Sequence, residues 1–514
     1  MSTHLPTRDT SGLSVSAILP GSRPYGCDDL RITSCSGSWS ECVSGDLFVA
    51  IDSEDGDGHD FAQSAVERGA AGVVSERLLA LDVPQFLVDD SRRAFGNICH
   101  ALAGNPAERL TSIAVSGSDG KTVTSHLIRS VLETAGELTG LSCSTCSEEA
   151  GDGFADAATA SECPARLASW LNQQVMTGRN AAIVEAPSNS LARHALSGAR
   201  FDIAVVTNIR NDLSRKHGSD LNYRKVQRRI FANLKPTGIA IINADDPVSH
   251  GLLQKLSVPF LTIGMRQLAD ITGKILESDS TGQTICITAG NDSAVVRTSI
   301  IGIQHVYNCL AAAAVGLARN IDVAQIARGL ELASAIPGRL ERVECGQGFN
   351  VWIDSAHNPS QIASAIHAVR QVTRGRVLTA VTMLPNQSSQ QRKRIGELVQ
   401  KRSALSVITL PDCSKIEDYE PAHQFLDGVS QHDQVRLIPN RMDAIEWLLS
   451  QARPGDSVLV TGVGERPIAV VGDQNQWSVS DKDLVQAWLY DEMKTASPEA
   501  ARRAQIYRMQ DYLQ

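Results

Sequence analysis

The stretch that most constrains this chain begins at residue 112, where the apolar, β-branched run Ser112-Ile113-Ala114-Val115 leads into Gly117-Ser118-Asp119-Gly120-Lys121-Thr122 and then into a helix from Thr122 onward. Strand, glycine loop and helix in that order can make a phosphate-binding loop. Backbone N–H groups and the helix N-terminus surround an anion, a lysine offsets its charge, and a Ser or Thr hydroxyl reaches a magnesium ion. On this reading Gly117, Ser118, Asp119, Gly120, Lys121 and Thr122 are the candidate nucleotide-binding residues. The general pattern has a glycine where this chain has Val115, so the segment by itself leaves two readings open, a nucleotide loop or a plain glycine-rich turn.

A loop of this kind sits on a parallel sheet, and the rest of the chain has the matching rhythm. Short apolar runs at 47–51 and 71–74 alternate with a helical stretch at 61–68, which reads as a small α/β domain. Strands are expected at 112–115, 181–184, 203–207 and 238–242, each followed by turn or helix signals, and again at 351–353, 377–381, 405–410 and 457–461. The turn Ala335-Ile336-Pro337-Gly338 divides the two series. With 514 residues the chain is too long for one core, and a prior of about 150 residues per domain gives roughly three. The expected fold class is therefore α/β in three domains. These are a small N-terminal α/β domain (1–108), a central P-loop parallel-sheet ATPase domain (109–335) and a C-terminal doubly wound, Rossmann-like domain (336–490), with a helical tail at 491–514.

Composition removes several classes of function. A net charge of −9 leaves no basic footprint for nucleic-acid phosphates, so no nucleic acid is expected as a partner. Eleven cysteines are scattered, with the single C-x-x-C at Cys143 and Cys146, which reads as reduced thiols in a cytosol rather than a disulfide or metal framework. The first residues carry no basic run followed by an apolar core, and nowhere do about 18 apolar residues run together. A cytoplasmic monomer without membrane insertion is expected.

Several further motifs follow the loop in a telling order. Ser44-Gly45-Asp46-Leu47-Phe48-Val49-Ala50 and Asp57-Gly58-His59-Asp60-Phe61 precede it. After it come Glu185, Thr207-Asn208, Ala244-Asp245-Asp246-Pro247, and the run Val306-Tyr307-Asn308-Cys309-Leu310-Ala311-Ala312-Ala313. Pro337-Gly338-Arg339-Leu340-Glu341-Arg342-Val343 and Asp354-Ser355-Ala356-His357-Asn358-Pro359 complete the series. Over roughly residues 30–490 this resembles the Mur ligase family of cell-wall synthesis, most nearly its UDP-muramoyl-dipeptide:amino-acid ligases, the tripeptide synthetases.

The resemblance implies that a UDP-muramoyl peptide or a related carboxylate is activated by ATP to an acyl phosphate, which the amine of an amino acid then attacks. It implies ATP and Mg²⁺ as cofactors, with Lys121 on the β/γ-phosphates and Thr122 and Glu185 serving the metal. Asn308 would meet the adenine side, and Arg339 and Asp354 would serve phosphate and ribose. Lys121, Glu185 and His357 are the implied catalytic residues, and Ser188, Lys415 and Glu465 the implied substrate contacts. Plainer roles stand beside these. Glu185 ends a strand and is placed to cap a turn, Asp354 and His357 begin a helix in a segment that favours Asp, Asn and Pro, and Arg339 follows Pro-Gly as a linker charge would.

Departures from the family fall on its catalytic positions. A T-N-L-T-x-D-H-L-D segment whose histidine supports a second Mg²⁺ reads Thr207-Asn208-Ile209-Arg210-Asn211-Asp212-Leu213-Ser214-Arg215, and leucine offers a metal no lone pair. The carbamylated lysine of the family is replaced by Gln227, while Lys225 lies roughly 200° round the helix axis and points elsewhere. E-V-S-S-H-A-L appears as Glu185-Ala186-Pro187-Ser188-Asn189-Ser190-Leu191, and the N-terminal D-S-R is replaced around Ser38-Trp39-Ser40. D-N-P-R aligns with Asp412-Cys413-Ser414-Lys415, G-K-G-H-E with Gly462-Val463-Gly464-Glu465-Arg466, and G-G-D-R-D with Met383-Leu384-Pro385-Asn386-Gln387-Ser388. Two classes of function therefore remain: an ATP-dependent amide-forming ligase, or a nucleotide-binding, non-catalytic homologue acting in cell-wall regulation. A folylpolyglutamate-synthase-like ligase is a third, weakened because residues 30–107 resemble the muramoyl-ligase N-terminal domain.

Overall fold

A computed structural model describes residues 12–53, 56–145, 160–210, 219–253, 256–333, 335–385, 387–410, 419–465, 468–471 and 476–496. Positions 146, 211–215, 412–415 and 466, together with the tail from 497, lie outside the described residues. The chain divides into two compact units. One comprises Met1–Thr272, Ala289–Asp292 and Asn308–Gly329, the other Gly273–Thr288, Ser293–Tyr307 and Leu330–Gln514.

The first unit opens on a five-stranded sheet built from β1 (Arg23–Tyr25), β2 (Cys35–Ser36), β3 (Leu47–Val49), β4 (Gly72–Ser75) and β5 (Gln85–Leu87), in the order β1-β5-β4-β3-β2. Its longer helices are α1 (Ala62–Glu67) and α2 (Ser91–Leu102). Asp90 caps α2 by accepting from the Arg93 N–H at 2.9 Å, and Ala94, Phe95, Ile98, Cys99 and Leu102 form its buried stripe.

The central sheet follows: β6 (Thr111–Ser116), α3 (Lys121–Thr134), β7 (Thr139–Ser142), α4 (Pro164–Met176), β8 (Ala181–Glu185), α5 (Ser188–Ala192), β9 (Phe201–Val206), α6 (Asp220–Ala232), β10 (Leu234–Asn243) and β11 (Phe260–Gly264). Its strands run parallel in the order β7-β8-β6-β9-β10-β11. Strands buried on both faces need continuous apolar runs, and 113–115, 181–184 and 203–206 supply them. Helix α6 is capped by Ser219 and shows the 3.6-residue period, with Tyr223, Val226, Gln227 and Ile230 buried while Leu221, Lys225 and Arg228 are exposed.

The sequence reading misses β7, a four-residue strand containing a glycine, and also the strands β12 (Ile271–Asp279), β13 (Gly282–Ala289) and β14 (Asp292–Thr298). These last three are neighbours in chain order, joined by two-residue turns that permit only antiparallel pairing. In β13 the buried Ile285 and Ile287 alternate with the part-exposed Thr284, Cys286 and Thr288, a period-two signal that the sequence reading left unused. Helices α7 (Ile303–Ala318) and α8 (Val323–Leu332) come next.

In the second unit β15 (Glu341–Val343), β16 (Asn350–Asp354), α9 (Pro359–Val372), β17 (Val377–Thr382), α10 (Ser389–Arg402), β18 (Leu405–Thr409), α11 (Glu420–Leu426), β19 (Val435–Leu437), α12 (Arg441–Ser450), β20 (Ser457–Thr461) and α13 (Asp481–Ala496) form a six-stranded sheet with helices, in the strand order β15-β16-β20-β17-β18-β19. Successive residues of a strand enter opposite cores. Val351, Ile353, Val458 and Val460 join one cluster, and Trp352 and Leu459 the other, so both faces are covered and the sheet is doubly wound as expected. No described helix is long and apolar enough to cross a membrane.

Candidate active site

Strand register brings the candidate residues of the first unit together. Val115 pairs with Glu185 on one side of β6, and Ser116 pairs with Val206 on the other. The carboxyl ends of three adjacent strands thereby bring the glycine loop, Glu185 and the Thr207-Asn208 segment together, the position where open parallel sheets bind ligands.

Both loop glycines adopt backbone that side chains disfavour, with φ of 136° at Gly117 and 85° at Gly120. There is also no room for one. A Cβ on Gly117 would stand 2.1 Å from Thr207 Oγ1, and one on Gly120 2.4 Å from Asn308 Oδ1. The loop is held from behind: Asn208 accepts from the Asp119 N–H at 3.1 Å and donates to the Asp119 carbonyl at 3.0 Å, while the Thr207 hydroxyl donates to the same carbonyl at 2.7 Å. Arg210 adds an ion pair to Asp119 at 3.4 Å. Lys121 Nζ curls over the loop and donates to the carbonyls of Gly117 and Ser118 at 3.1 and 3.2 Å.

Thr122, in the first turn of α3, donates to Glu185 Oε2 at 3.0 Å, with Oε1 at 3.3 Å, and the Ser144 N–H points at Oε2 from 3.3 Å. Both side chains are buried. A hydroxyl beside a carboxylate at a P-loop is a donor set that Mg²⁺ accepts, since this ion takes one or two protein oxygens and fills its octahedron with phosphate and water. Among the described residues no group of three or more His, Cys, Asp or Glu side chains forms a metal cage. Asn308, on α7, faces the helical side of the loop and accepts from the Thr124 hydroxyl at 3.3 Å. Ser188 opens α5, three residues past Glu185, and is partly buried.

Behind this loop lies a buried hydrogen-bond circuit. The Ser118 and Tyr223 hydroxyls are 2.8 Å apart, Gln227 Nε2 donates to the Tyr223 hydroxyl at 3.0 Å, and Gln227 Oε1 lies 2.9 Å from Ser116 Oγ, which is also 2.7 Å from the Ala186 carbonyl. Gln227 is fully buried and both ends of its amide are engaged. Burial pushes the Tyr223 phenol above its ordinary range.

In the second unit the expected residues gather around the ends of β16 and β20, where Asp354 pairs with Thr461. Asp354 accepts from the N–H groups of Leu340 and Ala356, each at 2.8 Å, so it does fasten its own turn. Burial raises its pKa, and the neighbouring Arg339 opposes that shift. Arg339 is no loose linker charge: it pairs with Glu465 at 3.1 Å and donates to Ser355. Glu465 is therefore committed to Arg339. His357 Nδ1 lies 3.0 Å from the Ser355 carbonyl; the carbonyl only accepts, so Nδ1 carries the hydrogen. Lys415 and Leu213 lie outside the described residues.

Sequence reasoning passed over Ser116, Thr124, Ser144 and Arg210, which are unremarkable locally and become partners through strand register, helix packing and the loops that follow the strands. It also left unnamed a cavity of about 620 Å³ in the first unit, bordered by Ser38, Trp39, Ser40, Phe61, Arg166 and Arg193. The Trp39 and Phe61 rings stack there with centroids 5.7 Å apart.

Comparison with known proteins agrees with this layout. Residues 115–316 match the Mur ligase middle domain and residues 338–464 the Mur ligase glutamate ligase domain. The UDP-N-acetylmuramoyl-L-alanyl-D-glutamate--2,6-diaminopimelate ligase of Geobacillus kaustophilus is 33% identical over 84% of this chain and 89% of its own length. A solved structure of a ligase of the same description superposes with a TM-score of 0.68 at 21% identity, over 94% of this chain and 99% of that one. The MurF ligase of Thermotoga maritima, solved with ADP, gives 0.59 at 18% identity over 90% and 98%. On its matched domains, its fold and its similarity to these ligases, the chain belongs to the Mur ligase family.

Proposed function

We propose that the protein is an ATP-dependent, amide-forming ligase that joins an amino acid to the dipeptide carboxylate of a UDP-N-acetylmuramoyl-dipeptide. The Thr122–Glu185 pair beside the P-loop carries this reading, because a hydroxyl and a carboxylate held together at a phosphate cradle serve a nucleotide-bound cation. Lys121 and the N–H groups of 117–122 would hold the phosphates, and Thr122 and Glu185 would hold Mg²⁺, which offsets the repulsion between a triphosphate and a carboxylate. Asn308 would border the base. Family pattern assigns Arg339 and Asp354 to phosphate and ribose, His357 to catalysis, and Ser188, Lys415 and Glu465 to substrate. The cavity bordered by Trp39 and Phe61 supports a place for the UDP-sugar portion, its aromatic pair offering a stacking surface and Arg166 and Arg193 positive charge.

A second reading, nucleotide binding without ligation, rests on Gln227. Its amide is neutral and hydrogen-bonded at both its nitrogen and its oxygen, so this position supplies no carboxylate to a second cation. ADP release by the purified chain decides between the two, measured with ATP, Mg²⁺, UDP-N-acetylmuramoyl-L-alanyl-D-glutamate and a panel of amino acids that includes 2,6-diaminopimelate. Release that depends on both the amino acid and the dipeptide, and is abolished by Lys121→Ala, is the expected result. Tight nucleotide binding with no such release from any pairing would replace the ligase by the non-catalytic reading.

A further inference from the structure

The first unit holds a second cavity, of about 100 Å³, whose wall is basic. Arg93 from α2, Arg200 from the segment before β9 and Arg229 from α6 line it, together with His194 and the amides of Asn97 and Asn233. Three arginines bordering so small a space place like charges close together, a repulsion that an anion among them would offset. Among the described residues none of the three makes an ion pair, in a chain whose net charge is −9. No described acidic residue lines the cavity, and Asp90 Oδ2 lies 3.8 Å from His194 Nε2. Arg229 uses Nη1 on the carbonyls of Leu191 and Ala192, at 3.2 and 2.7 Å, which fixes its head group at the end of α5.

The positive potential registers on His194. Its pKa is lowered, first by burial and then by Arg229, with Arg92 and Arg93 adding to the effect and Asp90 opposing it. The backbone of His194 is also unusual. It has φ of 57° and ends α5 in a Schellman turn, in which the Ala195 N–H donates to the Ser190 carbonyl at 2.9 Å. Glycine is the low-energy residue at that position, and a side chain there is strained. This chain nevertheless puts an imidazole there, on the cavity wall.

The cavity is rigidly walled. Helix α2 approaches the turn after α5 so closely that a Cβ on Gly96 would stand 2.4 Å from the Ser197 carbonyl oxygen, and one on Gly198 2.3 Å from that of Gly96. The volume is that of roughly three water molecules, enough for one phosphoryl group. Arg229 Nη1 and Asn233 Nδ2 already donate to backbone carbonyls, yet Arg93, Arg200, the rest of the Arg229 head group, His194 and Asn97 still carry more N–H donors than the two oxygens of a carboxylate take up, and a tetrahedral oxyanion offers more acceptors.

We infer that Arg93, Arg200, Arg229 and His194 form a binding site for a phosphoryl-type dianion, separate from the P-loop and seated where α2 meets the central sheet. The test uses the full chain carrying Lys121→Ala, which removes the P-loop as a phosphate receptor. Its unfolding temperature is followed against inorganic phosphate and methyl phosphate, with sodium chloride at matched ionic strength as the control. A saturable rise with phosphate and none with chloride is expected; response to methyl phosphate as well assigns the site to a phosphoryl group carried on a larger molecule, and response to phosphate alone to the free anion. Adding Arg93→Glu and Arg200→Glu, both exposed positions, should weaken the response at least tenfold. His194→Gly should raise the basal unfolding temperature by relieving the turn and still weaken phosphate binding. No saturable rise, or one left unchanged by the double charge reversal, overturns the site.

Discussion

Gln227 Nε2 donates to the Tyr223 hydroxyl at 3.0 Å, one helical turn earlier on α6, while Oε1 of the same amide lies 2.9 Å from Ser116 at the end of the P-loop strand. One neutral side chain thus ties the helix to the nucleotide loop from behind. A buried hydrogen-bonding partner removed without replacement leaves its neighbours unsatisfied, at about 1–3 kcal/mol.

Gln227→Leu is therefore expected to lower the unfolding free energy by about 1–3 kcal/mol and to weaken ADP binding through a loosened loop. Gln227→Glu keeps the shape and the acceptor at Ser116, and should recover most of the nucleotide affinity. Denaturant melts and calorimetric titration with ADP read the two effects separately; full ADP affinity in the leucine variant would show that the circuit does not position the loop.

The glycine at 117 faces a harder constraint than the one at 120. In Gly117→Ala the methyl meets the Thr207 hydroxyl and the Asn208 backbone, at a φ that side chains avoid, so a loss of about 2–4 kcal/mol is expected. Gly120→Ala meets the end of the Asn308 amide, which can rotate, and should destabilise less. Equal melting temperatures for the two variants would contradict this ordering.

His100 gives the protein an acid-sensitive element. It is fully buried, neither ring nitrogen has a hydrogen-bond partner among the described residues, and burial lowers its pKa from 6.5 to about 3. The unfolded chain takes up that proton below pH 6.5 and the folded chain does not, so this contribution to stability is complete above 6.5 and is lost as the pH falls toward 3. Its limiting slope is about 1.4 kcal/mol per pH unit. Urea midpoints measured from pH 7 to pH 5 should fall less steeply in His100→Asn than in the parent chain; parallel curves would assign the acid sensitivity to other groups.

In the second unit the buried Arg441–Asp481 pair, with oxygens at 2.7 and 2.6 Å from Nε and Nη2, joins the start of α12 to the start of α13. Asp481→Ala strands a buried guanidinium and should cost about 3–5 kcal/mol, whereas Arg441→Met with Asp481→Leu should lie much closer to the parent chain. Thermal melts of the single and double variants test this, and a double variant as unstable as the single would refute it.

Much of this organisation is written locally. The P-loop is legible because strand, glycines, lysine and threonine are consecutive, and the phase of α6 shows from spacing alone that Gln227 turns inward where Lys225 turns to solvent. The antiparallel strands β12 to β14 were missed even though β13 carries the alternation Thr284-Ile285-Cys286-Ile287-Thr288 with both isoleucines buried; the mostly polar residues of β12 and β14 on either side give little support to that signal. The basic cavity was equally hidden, because its arginines belong to three separate segments.

From its residues alone the chain determined that residue 227 carries no charge, that the loop ahead of Lys121 has the glycines a phosphate cradle needs, and that the sheets are largely parallel. Only the tertiary structure decided what those residues do for one another. Ser116 and Gln227 are 111 positions apart, and Arg339 and Glu465 are 126 apart, and both contacts exist because strand register and helix packing bring the segments together. Local periodicity reports which way a side chain faces; its partner is selected by burial, where an unpaired polar group is costly and the neighbour that satisfies it comes from wherever the chain returns.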